Sequence, residues 1–216
     1  MAAAQDIRPP RKRLSAEDRR SAILDAALEV FSRRGYNGAS IDEIAHAAGI
    51  SKALIYEHFP SKRDLHVSLL ERHVQQIFVR LAQTADTAEP GEVRLRNGVN
   101  AFLEWVESNR DAFRLLFRDT FELEVAEVLT RLQSQATGAI AALIAAEPAR
   151  GAPQDRALDF PLAIEAMAQQ LSGAVQSLAI WWQSHPDVDR EWLVHRVMEY
   201  CWLGLERFRG GERAGG

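Results

Sequence analysis

Residues 40–62 read Ser40-Ile-Asp-Glu-Ile-Ala-His-Ala-Ala-Gly49-Ile-Ser51-Lys-Ala-Leu-Ile-Tyr56-Glu-His-Phe59-Pro-Ser-Lys62, two short helical patterns around a glycine turn. Ser40 with Glu43 forms a capping box, in which the serine oxygen takes an orphan N–H and the glutamate reaches back to the serine backbone. Ile41, Ile44, Ala45 and Ala48 then line one face at helical spacing. Gly49 ends this helix, because glycine accepts the left-handed conformation common at a helix C-terminus. Ser51 caps the next helix at once. With only Gly49, Ile50 and Ser51 between them, the two helices must cross steeply, the arrangement of a DNA-binding helix-turn-helix.

Ile55 and Phe59, four residues apart, face the first helix, so Lys52, Ala53, Leu54, Tyr56 and His58 are expected on the other side. That set suits a groove in DNA. Ser51 and Lys52 lie at the helix N-terminus, where backbone N–H groups favour phosphate and a recognition helix meets base edges. Ala53 permits close approach and Leu54 can pack on a thymine methyl. Tyr56, His58 and Lys62 read as phosphate ligands that position without reading sequence. The same exposed leucine and tyrosine would also serve as a protein-contact patch.

Three neighbouring features favour DNA. Ser15 with Asp18 is another capping pair, and Ile23, Leu24, Ala27, Leu28 and Phe31 form one stripe before Gly35 stops the helix. Ahead of it, Arg8-Pro-Pro-Arg11-Lys12-Arg13 is a basic arm of the kind that reaches into a minor groove, or a solvated tail. Charge is also segregated: residues 1–63 hold 11 Lys+Arg against 8 Asp+Glu, net +3, and the remainder holds 15 against 22, net −7. All three lysines, Lys12, Lys52 and Lys62, lie in the first part, as expected for a phosphate-facing module on an acidic body.

The N-terminal third resembles the TetR family of bacterial transcriptional regulators. The likeness runs through residues 23–31, Gly35-Tyr36, Ser40, Ile44-Ala45, Ala48-Gly49-Ile50-Ser51, Tyr56, Phe59, Ser61-Lys62 and Leu65. The resemblance implies an all-α fold: an N-terminal three-helix DNA-binding domain, then a larger helical domain that dimerises and usually holds an effector. It also implies that Ser40, Ser51, Lys52, Ala53, Leu54, Tyr56, His58 and Lys62 fall at DNA-contacting positions. Leu54 departs from the small residue or threonine frequent there, and Glu57 brings a negative charge near the duplex.

The rest of the chain agrees with this plan of a basic arm (1–13), a helix-turn-helix domain (14–60) and a helical body (61–216), about nine helices in all. Ser61 with Asp64 is a third capping pair, opening a helix over 61–81 whose stripe is Val67, Leu70, Val74, Ile77, Phe78 and Leu81. That helix is expected to couple the two domains. Loops are expected at 83–92 and 147–155, with helices near 92–109, 110–119 and 121–146 between them. Two long amphipathic helices follow. The inner stripe of the first reads Ile164, Met167, Leu171, Ala174, Val175, Leu178 and Trp181, up to the stop at His185-Pro186; that of the second reads Val194, Val197, Met198, Cys201, Leu205 and Phe208. Trp182, Trp192 and Trp202 give both helices a second apolar face, which needs either a second partner or a wider monomer core. The resemblance implies that the pair forms a homodimer interface, so Val175, Leu178, Trp182, Trp192, Met198, Trp202 and Leu205 are its candidates. A two-fold dimer sets recognition helices about 34–36 Å apart and matches a palindromic operator.

Phe102, Trp105, Phe113, Phe117, Phe121 and Met167 are candidate walls of an apolar effector cavity, with Asn100 or Gln170 orienting the ligand. Taken singly, aromatics at helical spacing read equally well as core. An enzyme is the class the sequence argues against. Its six histidines show no metal-ligand spacing, His66 and His73 read as exposed on one helix, and no nucleophile elbow, phosphate loop or dinucleotide fingerprint is present. No cofactor is implied. The single cysteine, Cys201, reads as a buried structural thiol and excludes an internal disulfide, which suits the cytoplasm. Apolar runs such as 139–146 fall short of the roughly 20 residues that span a bilayer. The expected partners are therefore double-stranded DNA, a second copy and a small, mostly apolar effector that relieves repression. The alternative is a helical protein-interaction module with a basic arm.

Overall fold

The structure, a computed structural model, describes residues 15–84, 88–117, 123–145 and 160–209. Among them every regular element is helical: α1 (Ala16–Gly38), α2 (Ile41–Ala48), α3 (Lys52–His58), α4 (Lys62–Gln83), α5 (Gly91–Ser108), α6 (Arg110–Phe117), α7 (Leu123–Ala145), α8 (Phe160–Trp182) and α9 (Arg190–Arg209). The chain divides into two compact units, Met1–His66 and Val67–Gly216. The first turn of α4 thus goes with the N-terminal unit, since Leu65 is buried and His66 packs on Phe31 and Tyr36.

The N-terminal unit follows from its caps and its stripe. Ser15, Ser40 and Ser51 each accept a backbone N–H from the residue three places on, at 3.0, 3.1 and 3.2 Å, and Ser61 does the same for Asp64 at 3.1 Å. At Ser15 and Ser40 the acid reciprocates, so both capping boxes are complete. Gly35 breaks α1 with φ 68° and ψ 168°, and the N–H of Ala39 returns to its carbonyl. Gly49 takes φ 65° and ψ 33° and donates to His46, while the Ile50 N–H bonds to Ala45, satisfying the last carbonyls of α2. Ile23, Leu24, Ala27 and Phe31 of α1, Ile44 and Ala45 of α2, and Ile55 and Phe59 from α3 and its end make one buried core.

In the second unit α7 packs on α8, and α5 packs on α6, α8 and α9. Two expectations are corrected here. His66 and His73, read as exposed, are only 5% and 4% exposed. A spacing of seven serves a buried face as well as a solvated one, and these imidazoles share theirs with Leu69, Leu70, Val74 and Ile77. His73 packs edge-on to Trp105 with ring centroids 6.2 Å apart, and its Nδ1 pairs with Gln76 Oε1 at 3.1 Å.

The inner stripe of α8 is the second correction. It runs Ile164, Ala168, Leu171, Val175, Ala179 and Trp182, so Trp182 is 1% exposed and Trp181 is 40% exposed. Neighbouring residues on a helix point about 100° apart, so only one tryptophan can enter the core. Trp182 is chosen because its indole N–H reaches the Val188 carbonyl at 2.8 Å, satisfying the buried donor, while the Arg110 guanidinium lies over its ring. Cys201 is half-buried, and burial pushes its thiol up from the ordinary value. No helix of the described residues is long and apolar enough to cross a membrane.

Candidate nucleic-acid interface

The site is built on α3. Ile55 and Phe59 are fully buried and anchor the helix, and the Arg20 guanidinium covers the Phe59 ring at 4.7 Å. That anchoring turns the opposite face outward: Ser51, Lys52, Ala53 and Glu57 are exposed, Tyr56 is 45% exposed, and Leu54 and His58 are half-buried. Of the expected set, Ser51, Lys52, Ala53 and Tyr56 are exposed, whereas Leu54 and His58, the last residue of α3, are half-buried. Ser51 and Lys52 open α3 with its first N–H groups, the positive end of the helix dipole.

Ser40 is half-buried and spends its oxygen on capping α2, leaving its edge at the surface. The Glu43 carboxyl is held below its ordinary value by the Ser40 hydroxyl and N–H and by the Arg34 charge 3.6 Å away. Lys62, first residue of α4, rests its ammonium 4.4 Å from the Tyr36 ring centre. This holds the charge in place without neutralising it. Arg11, Lys12 and Arg13 lie outside the described residues.

Asp42 is a site residue that the sequence reading missed. Its Oδ2 lies 2.8 Å from Lys52 Nζ, and this contact pushes the lysine up from its ordinary value. The available signal was opposite charges in the first turns of two consecutive helices, ten residues apart. Among the described residues no group of three His, Cys, Asp or Glu is placed to hold a metal ion.

The candidate ligand residues separate. Trp105 and Phe113 are core, and Asn100, Phe102, Phe117 and Met167 are half-buried. Gln170 is exposed, and Phe121 lies outside the described residues. Phe102, Phe113 and Phe117 form a continuous aromatic run with centroid spacings of 6.4 and 4.8 Å. A separate open groove of about 880 Å³ runs between α4 and α5 past Arg72, Gln76, Arg80, Glu104, Trp105 and Asn109. Of the expected ligand residues only Trp105 borders this groove, with its indole N–H 3.5 Å from Gln76 Oε1.

The candidate dimer residues separate too. Val175, Trp182 and Met198 are buried within the chain, so all three are corrected from partner-facing residues to core ones. Leu178 and Trp202 are half-buried, Trp192 is 48% exposed, and the Leu205 side chain lies outside the description. Instead, Leu162, Trp181, Tyr200 and Leu203 join Trp192 as exposed apolar residues on α8 and α9. Trp181 stacks on His185 at 3.9 Å and on Trp192 at 6.5 Å.

Comparison with known proteins finds separate matches for the N-terminal and C-terminal parts of the chain. Residues 23–69 match the family model described as bacterial regulatory proteins, tetR family, and residues 90–204 match that of a tetracyclin repressor-like C-terminal domain. The chain is 32% identical over 195 residues to the HTH-type transcriptional activator FasR of Mycolicibacterium smegmatis, covering 89% of this chain and 85% of that protein. A TetR-like transcriptional regulator from Rhodococcus sp. RHA1 has a similar fold, with TM-score 0.76 at 24% identity over 90% of this chain and 99% of that one. The regulator FadR from Bacillus subtilis, solved in complex with stearoyl-CoA, shares the fold at TM-score 0.70 and 17% identity over 89% and 99%.

Proposed function

The chain belongs to the TetR family of bacterial transcriptional regulators, and from that premise we propose that it binds a palindromic operator as a homodimer and is released by a small, mostly apolar effector. The observation that carries the reading is α3 itself: a Ser51-capped helix anchored by Ile55 and Phe59, with Lys52, Ala53 and Tyr56 turned to solvent. In this role the α3 N-terminus and Lys52 approach base edges, Ala53 allows contact, and Leu54 packs on a thymine methyl. Tyr56, His58 and Lys62 hold phosphates, and the arm with Arg11, Lys12 and Arg13 enters the minor groove.

Dimerisation is supported by the exposed Trp181, Trp192, Tyr200 and Leu203, which a monomer would leave in water. The effector reading is supported by the Phe102, Phe113 and Phe117 run and by the stearoyl-CoA complex of the FadR relative in fold. An effector acts only by binding the DNA-incompetent arrangement more tightly, since equal affinity for both shifts nothing. The change would travel along α4. Whether binding represses or activates depends on where the operator lies in a promoter, and the relative FasR carries the name of an activator.

Selection of bound sites from random DNA tests the first part: recovery of a palindrome is expected, and unselective recovery would refute operator reading. Thermal-shift and gel-shift screens with long-chain acyl compounds test the second. A compound that stabilises the protein and lowers operator affinity is expected, and a screen in which none alters affinity would overturn it.

A further inference from the structure

The Asp42–Lys52 pair is odd for a DNA-facing surface. Asp42 lies in the first turn of α2, Lys52 opens α3, and both side chains are largely exposed. An exposed ion pair of this kind adds little to stability. It opposes DNA binding, because it sets a carboxylate beside the cation that a phosphate would approach. The lysine at the first position of α3 is thus matched by the protein's own carboxylate, from the first turn of α2.

We propose that Asp42 is a specificity-determining residue that occupies Lys52 in place of phosphate, weakening non-specific DNA binding more than operator binding. On unrelated DNA, Lys52 is offered mainly phosphate, and taking it means leaving Asp42 or bringing a second anion against that carboxylate. At a matching site the pair survives. Lys52 has three donors and gives one to Asp42, so the others can reach acceptors such as guanine O6 and N7, while the second carboxylate oxygen can accept from a cytosine amino group. Phosphate thus competes with Asp42, whereas the base edge is shared with it.

This inference rests on the reading of Lys52 as a DNA contact, and the experiment separates the two. Affinities of the full-length protein for its selected operator and for an unrelated duplex of equal length are measured across a salt series for wild type, Asp42→Asn, Lys52→Ala and the double variant. Asp42→Asn should bind unrelated DNA roughly two- to fivefold tighter, with a salt slope steeper by about one, while operator affinity changes by less, so the specificity ratio falls. In the Lys52→Ala background most of that gain should vanish. Equal tightening on both DNAs, or the same gain without Lys52, would make Asp42 a bulk charge and overturn the proposal while sparing Lys52 as a contact. If Lys52→Ala alone changes neither affinity, the contact reading falls and the proposal with it. Asp42→Glu, which keeps the charge, should hold the specificity ratio near that of the wild type.

Discussion

At the scale of single residues, the interface side chains divide by how they are held. Lys62 carries its charge on the Tyr36 ring, a support that fixes position without cancelling charge. Lys62→Ala should therefore weaken binding to every sequence alike and flatten the salt slope by about one, measured by titration of operator and unrelated DNA. Leu54 is half-buried and uncharged, so Leu54→Ala should change preference among sequences more than overall affinity. The reverse pattern would mean that α3 presents another face. His66 has a different role. Burial between Phe31 and Tyr36, with the Lys62 charge nearby, holds its imidazole down to about 4 from an ordinary 6.5, and among the described residues neither ring nitrogen has a hydrogen-bond partner. The unfolded chain then takes up the proton first, so stability is full above about pH 6.5 and falls as pH drops towards 4, by up to about 3 kcal/mol. Urea denaturation at pH 7 and pH 5 should show about 2 kcal/mol of this loss, and His66→Phe should remove most of it.

At the scale of elements, two glycines do different work. Gly49 sits in the left-handed region that other residues enter at modest cost, whereas Gly35, at φ 68° and ψ 168°, occupies a region essentially reserved for glycine. A Cβ would meet no atom within 4 Å at either position, so the cost of alanine is conformational alone. Gly49→Ala should lower stability by about 1 kcal/mol and Gly35→Ala by about 2 to 3 kcal/mol in denaturant unfolding, an order that steric crowding would not produce. Much of this scale was legible in advance. The pairs Ser15–Asp18, Ser40–Glu43 and Ser61–Asp64, and the single cap Ser51, are local bonds spanning three residues, and all four form. The stripe of α8 was not legible, because its inner face includes small Ala168 and Ala179, while the hydrophobicity of Trp181 and Trp182 is the same.

At the scale of the whole molecule, the buried Trp182 of α8 and the exposed Trp192 of α9 make separable predictions. Trp182→Ala should destabilise the folded chain by about 3 to 5 kcal/mol, because it empties a core site and removes the bond to Val188. Trp192→Glu and Leu203→Glu change exposed positions and should leave folding nearly intact while shifting the protein towards monomer in sedimentation. Operator affinity should fall with the dimer, since a palindrome is read by two recognition helices at once. A variant that stays dimeric would move the interface off this face of α8 and α9.

The sequence by itself determined the helices, their caps, the glycine turn and the burial of Ile55 and Phe59, because these depend on bonds within one turn and on periodicity. It also carried the family, through residues 23–65 of the N-terminal third. Only the tertiary structure decided that Trp182 rather than Trp181 enters the core, that His66 and His73 are buried, and that Asp42 reaches Lys52. Each of those depends on which distant surface arrives against a helix. An amphipathic pattern shows that a face will be covered, and the packing partner decides which residues at its edge lose their water.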